Sequence, residues 1–157
     1  MTPRRATAED RHALAMLLAE LAREHGQDSD PLAAADTLLA GKGKAGPVVL
    51  VAPEGAALLG FAALVGHFPA RGFTWGLTLT DLFVSASHRS KGVGRALLRA
   101  ACAFAREEGY TRVENAVRED EPLPRHFYAA LGIAPAPRHV YRLEGALLDR
   151  LATEAAA

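Results

Sequence analysis

The chain holds a single cysteine, Cys102, in 157 residues. No intramolecular disulfide can form, so a reducing compartment is the expectation. It also lacks any surplus of charge, because 18 Lys and Arg balance 18 Asp and Glu. Nucleic-acid binders ordinarily carry a basic excess, and that class of partner is not expected. A neutral chain has little colloidal repulsion, which favours self-association. No uninterrupted apolar run approaches the roughly 20 residues of a membrane helix. The first apolar stretch is broken by Glu9, Asp10, Arg11 and His12, which does not suit a signal peptide. No histidine pair has a spacing such as His-x-x-x-His, so no metal site is expected. A cytoplasmic protein without membrane contact follows as the expectation.

Half of the residues are hydrophobic, enough for one core, and a single domain over residues 1–157 is expected. Residues 2–6 read as a short strand. Thr7 with Asp10 three positions on makes a near capping box. Leu14, Leu17, Leu18 and Leu21 then recur at helical spacing up to Gly26. Pro31 opens a second helix that ends near Gly41. Gly41-Lys42-Gly43-Lys44 reads as a plain loop. Residues 48–51 and 57–65 pair as a hairpin around Pro53-Glu54-Gly55. A connection at residues 67–72 leads to a long strand over 73–84. Residues 92–108 form a strong helix with Val93, Leu97, Ala101 and Phe104 inward and Gly109 as its stop. A strand over 112–117, a helix over 123–131, a last strand over 140–143 and a helix over 146–151 complete the chain. The order is α/β, with an antiparallel meander followed by one crossover.

The informative stretch is Asp81-Leu82-Phe83-Val84-Ser85-Ala86-Ser87-His88-Arg89-Ser90-Lys91-Gly92-Val93-Gly94-Arg95. It runs strand, loop, helix. Glycines let the backbone approach an anion without a Cβ in the way. The amides of a first helical turn face outward there, with the partial positive charge of the helix dipole behind them. Arg89, Lys91 and Arg95 add charge. The result suits a pyrophosphate. A P-loop needs Gly, four residues, then Gly-Lys-Ser/Thr, and nothing matches. A dinucleotide fingerprint needs a third glycine where Leu97 stands.

Arg89-x-x-Gly92-x-Gly94 resembles the acetyl-CoA-binding motif of the GNAT superfamily of N-acetyltransferases. Phe127-Tyr128-Ala129-Ala130-Leu131-Gly132-Ile133 resembles that family's Phe-Tyr-x-x-Leu-Gly-Phe segment. The resemblance covers roughly residues 2–143. It implies a mixed, mostly antiparallel sheet of six to seven strands, flanked by helices and splayed between the fourth and fifth strands. It implies acetyl-CoA as co-substrate, its pantetheine arm on the backbone of Leu82, Phe83 and Val84. The pyrophosphate would lie on Arg89, Ser90, Lys91, Gly92, Val93, Gly94 and Arg95. A primary amine of a small molecule or peptide would attack the thioester directly. A homodimer is the family habit. The run Thr80-Asp81-Leu82-Phe83-Val84 resembles the diamine and polyamine branch.

By position in the family motif, Tyr128 would protonate the departing thiolate; the residue pattern alone favours a packed aromatic. Three departures stand out. Ser90 replaces a frequent glycine. Thr80 replaces a glutamate that often serves as base, and Glu121 stands where an asparagine is common. Asp81 is the nearest carboxylate, as base or as a structural sheet residue. Strand alternation places it on the opposite face from Thr80. A non-catalytic acyl-CoA-binding module is the alternative function. Phe68, Phe73 and Trp75 read as acceptor lining or as core. Glu119-Asp120-Glu121 reads as a cation attractor or a solvated loop. His126 is expected in solvent, and Cys102 as a small buried hydrophobe.

Overall fold

A computed structural model describes residues 1–70, 72–137 and 140–153. The chain divides into two compact units, Met1–Ala116 and Val117–Ala157. The first carries β1 (Arg4–Arg5), α1 (Arg11–Glu24), α2 (Pro31–Leu39), β2 (Pro47–Glu54), β3 (Ala57–Ala70), β4 (Thr74–Val84), α3 (Val93–Glu107) and β5 (Val113–Glu114). The second carries α4 (Pro122–Ala130) and α5 (Gly145–Thr153). Among the described residues no helix is long and apolar enough to cross a membrane.

The helices begin and end where local chemistry directs them. At α2, the Asp30 carboxylate accepts from the amides of Leu32 and Ala33 at 3.0 and 3.1 Å, and Pro31 occupies the first turn. Helices α1, α3 and α4 all stop at a glycine with positive φ: Gly26, Gly109 and Gly132. Each adds the same bond pair, seen in α3 as Tyr110 N to Ala105 O at 2.8 Å and Gly109 N to Arg106 O at 3.3 Å. This is the Schellman closure, and it satisfies the last carbonyls.

The described strands form one five-stranded sheet in the order β1-β2-β3-β4-β5. All neighbours are antiparallel except β4 and β5, which are parallel and joined by α3. Five strands replace the six to seven expected. Residues 140–143 form none among those described: Val140 and Tyr141 are exposed, and Arg142 pairs locally with Glu144. A β-prone run that buries nothing gains no ladder. Strand β3 runs through the expected connection as far as Ala70, and position 71 lies outside the described residues. A register shift between His67 and Ala70 takes up Pro69, which has no amide to give a regular ladder.

Each face of the sheet buries its own core. On one, α3 sets Val93, Leu97, Ala101 and Ala105 at i, i+4 spacing against Leu50, Ala62, Leu64, Leu77 and Leu79. On the other, α1 and α2 cover Val49, Val51, Phe61, Ala63 and Phe83 with Leu14, Leu17 and Ala35. Arg11 of α1 grips Asp36 of α2 through two bonds, at 2.5 and 2.6 Å. Cys102 is exposed, contrary to its expected burial. It lies one residue beyond the inward Ala101, a turn of about 100° around the helix.

Candidate active site

Strand β4 carries one residue too many for its partner. Ala63 pairs with Asp81 and Leu64 with Leu79, which leaves Thr80 as a bulge. Its effect shows in the cores. Leu77 and Leu79 before the bulge belong to the α3 side, and so do Leu82 and Val84 after it, while Phe83 belongs to the α1 side. The extra residue therefore resets the parity of the strand. Thr80 and Asp81 fall on the same face, the one carrying α1, and both are exposed. The sequence reading had separated them by alternation, and the bulge overturns that. The Thr80 hydroxyl donates to Ala63 O at 3.1 Å.

The opposite edge of β4 opens at the same place. Strand β5 meets it in register only at Leu77 with Val113 and Thr78 with Glu114. Asn115 Nδ2 adds a bond to Leu79 O at 3.1 Å. Beyond that, Leu82, Phe83 and Val84 pair with β3 alone among the described strands. Among the described residues no strand covers this edge, and Val84 O there accepts from a side chain, Arg89 Nε.

The loop after β4 is held from α1. The Glu20 carboxylate accepts from Ala86 N at 2.7 Å and from the Ser85 hydroxyl at 3.2 Å. One turn on, Glu24 receives both bonds from Arg89 Nη2, at 2.5 and 2.7 Å. Arg89 Nε donates to Val84 O at 3.0 Å, and its guanidinium lies 5.6 Å from the Phe83 ring centre. Arg89 thus braces the loop, whereas the sequence reading placed it with the loop's anion-facing charges. Lys91 Nζ donates to Ser87 O at 2.9 Å, and Arg95 is exposed. Ser87 and His88 bond to each other at 2.8 Å.

The chain turns into α3 through two residues with positive φ, Ser90 at 60° and Gly92 at 82°. Gly92 is the N-cap, and no side chain caps the helix. The first intrahelical bond runs from Ala96 N to Gly92 O at 3.0 Å. The amides of Val93, Gly94 and Arg95 precede it and have no carbonyl one turn back. The Val93 side chain is buried, Gly94 half-buried. A serine in left-handed space costs about 1–2 kcal/mol relative to glycine.

In the second unit, Phe127 and Tyr128 meet edge to face at 5.1 Å on α4. Leu131, Gly132 and Ile133 form the closure described above, with Ile133 N bonded to Tyr128 O at 3.0 Å. The Tyr128 hydroxyl is buried and has no hydrogen-bond partner among the described residues. Burial pushes its pKa above the ordinary value, so it keeps its proton at neutral pH. Asp120 is held by Arg118 through two bonds of 2.9 Å, and His126 is exposed as expected.

The expected aromatic residues divide differently. Trp75 packs on the α3-side core with Phe68 against it, 5.4 Å between ring centres. That face is the one Asp81 does not share. Phe73 is 82% exposed with φ of 56°. Sequence reasoning missed Glu20 and Glu24, whose i, i+4 spacing on α1 looks like any solvated acidic face. It also missed the pairing of His67 with Thr78, at 3.1 Å between Nδ1 and Oγ1.

Known proteins agree with this geometry. Over 58 residues the chain is 40% identical to a streptothricin acetyltransferase of Streptomyces lavendulae. That segment is 37% of this chain and spans 31% of the relative's length. An integron cassette protein from the mobile metagenome of V. cholerae superposes with a TM-score of 0.79 at 26% identity. The match covers 98% of this chain and 99% of that one. The aminoglycoside N-acetyltransferase AAC(6')-Iy, solved in complex with CoA, gives a TM-score of 0.76 at 18% identity. It covers 90% of this chain and 93% of its own, a likeness of fold. The model of the acetyltransferase (GNAT) family matches residues 12–133, from the first helix through the tyrosine-bearing segment, and the chain belongs to that family.

Proposed function

We propose that this protein is an acetyl-CoA-dependent N-acetyltransferase acting on a primary amine of a small molecule or peptide. The observation that carries the reading is the β4–α3 passage: a strand edge that no described strand covers and that runs directly into an uncapped helix N-terminus. A thioester with a peptide-like arm and a pyrophosphate needs both, in that order. The backbone of Leu82, Phe83 and Val84 would bind the pantetheine amides as a further strand does. The amides from Ser90 to Arg95 would hold the pyrophosphate, favoured by the helix dipole. In this reading Arg89 keeps the loop in shape from beneath, and Lys91 and Arg95 supply the mobile charge.

The reaction is a direct attack within a ternary complex. The amine nitrogen bonds to the carbonyl carbon, the C–S bond breaks, and the thiolate takes a proton. Tyr128 is the proposed donor of that proton, because its hydroxyl is buried, protonated and unpartnered. Asp81, exposed beside Thr80 on the α1 face, is the proposed anchor for the incoming ammonium. A single functional domain over residues 1–157, in the cytoplasm and as a homodimer, belongs to the same proposal. The similarity to a streptothricin acetyltransferase favours streptothricin or a similar small molecule as acceptor.

The test is thiol release from acetyl-CoA with kanamycin, streptothricin, spermidine and amino acids. Release with one class supports the enzyme and selects its acceptor. CoA binding by calorimetry without any release would favour an acyl-CoA-binding module. Gly94→Asp sets a carboxylate at the helix N-terminus and should abolish CoA binding. Unchanged affinity would overturn the pyrophosphate assignment.

A further inference from the structure

The α1-side face of β4 carries polar groups whose arrangement the proposed reaction has not used. His67 of β3 stands opposite Gly76, and its ring occupies the space a side chain would fill there. A Cβ on Gly76 would lie 2.5 Å from His67 Nε2 and 2.6 Å from Cε1. Seated over the glycine, the ring turns Nδ1 to the Thr78 hydroxyl at 3.1 Å. Thr78 shares its face with Thr80 and Asp81, because the bulge resets the strand between them. It is also the last residue of β4 that β5 covers, immediately before the edge opens.

We propose that His67 is the proton acceptor for the incoming amine, acting through the Thr78 hydroxyl, in place of the carboxylate that Thr80 cannot supply. The inference rests on the acetyltransfer reading above. The ammonium passes a proton to Thr78 Oγ1, whose own proton moves to His67 Nδ1 and leaves an imidazolium. The freed lone pair forms the N–C bond as the C–S bond breaks. The thiolate takes its proton from Tyr128, the second amine proton restores that tyrosine, and the imidazolium returns its proton to solvent. Nothing else is consumed.

The other charged groups around this pair are few. Asp81 is the acid on the same face of β4. Glu114 of β5 stands beside Thr78 in register, with Arg112 3.5 Å from it. From α1 come Glu20 and Glu24, which are engaged with the loop after β4.

The experiment measures kcat and KM from pH 5 to 9 with whichever of kanamycin, streptothricin, spermidine and the amino acids the native protein acetylates fastest. The native kcat/KM should fall on the acid side of this range. His67→Asn keeps an amide toward Thr78 but cannot titrate; it should lower kcat roughly 100-fold and flatten that limb. Thr78→Val should lower kcat similarly, while Gly76→Ala, whose methyl unseats the ring, should reproduce the loss with both partners still present. CoA affinity should be unchanged in all three. A native protein that acetylates none of them would sink the acetyltransfer reading, and this inference with it. An active native protein whose His67→Asn variant keeps the acid limb and its rate within about threefold would overturn the inference alone. So would a limb that Glu114→Gln removes and His67→Asn does not.

Discussion

Gly66→Ala should unfold the protein at a visibly lower temperature, although it adds a single methyl group. Gly66 lies where the loop after α2 crosses β3, and a Cβ there would sit 2.1 Å from Lys44 O. Ordinary contact needs about 3.4 Å, so the carbonyl must retreat by about 1.3 Å. That carbonyl accepts the Tyr110 hydroxyl at 2.7 Å, and the retreat stretches the bond to about 4 Å, beyond hydrogen bonding. Tyr110 is only 8% exposed, so its hydroxyl is left without a partner, at about 1–3 kcal/mol. Lys44 Nζ also caps α3 through Glu108 O at 2.7 Å and lies 4.9 Å from the Tyr110 ring centre; displacement weakens both by about 1 kcal/mol together. Replacing a strand glycine returns about 0.5–1 kcal/mol. The net loss is about 1.5–3 kcal/mol, a fall in Tm of about 3–12 °C for a chain of this length. Urea unfolding followed by circular dichroism measures it. Tyr110→Phe removes the same bond, so adding it to Gly66→Ala should cost less than it does alone. A Gly66→Ala variant within 0.5 kcal/mol of native, or additive with Tyr110→Phe, would refute this account.

Three further perturbations follow from the same contacts. Gly92→Ala places a Cβ at φ of 82° and should cost about 1–2 kcal/mol in urea, whereas Ser90→Gly should cost nothing or stabilise slightly. Glu24→Ala releases Arg89 from a pair roughly a third exposed on each side, and should lower stability by about 0.5–1 kcal/mol, less at 1 M salt. Asp10 is buried, and the Arg4 guanidinium, with help from the Thr7 amide, holds its carboxyl below the usual range. A depressed folded pKa gives stability that is complete above about pH 4 and lost as pH falls through the folded value. Asp10→Asn should therefore be less stable than native at pH 7, with the gap closing on acidification; a constant gap between pH 2 and 7 would remove Asp10 from that role.

Much of this architecture was legible in residue types. Pro31, Gly26, Gly109 and Gly132 mark helix ends because a fixed φ and a left-handed φ each demand those residues. The period of Val93, Leu97 and Ala101 gave α3 and its inward face. The motif at Arg89, Gly92 and Gly94 located the helix N-terminus, and the tyrosine segment located the closure after Tyr128. What escaped was decided by contacts distant in the chain. Thr80 is an ordinary strand residue, and only the partner strand makes it a bulge. Arg89 has the charge of an anion ligand, yet Glu24, 65 positions earlier, claims it. The loop from Gly41 to Lys44 reads as punctuation, but Lys44 is seated against Tyr110 and Trp75. Val140 and Tyr141 have strand chemistry and no ladder among the described strands.

The bulge at Thr80 is a place where β4 can change length without disturbing either core. Asp81 already stands opposite Ala63 and Leu79 opposite Leu64, so deleting Thr80 would leave a regular ladder, with Leu82, Phe83 and Val84 on their present faces. What would disappear is the pair of polar neighbours on the α1 face. A relative one residue shorter here can therefore keep the same sheet, and its alignment gap belongs at position 80, where it leaves Asp81 opposite Ala63.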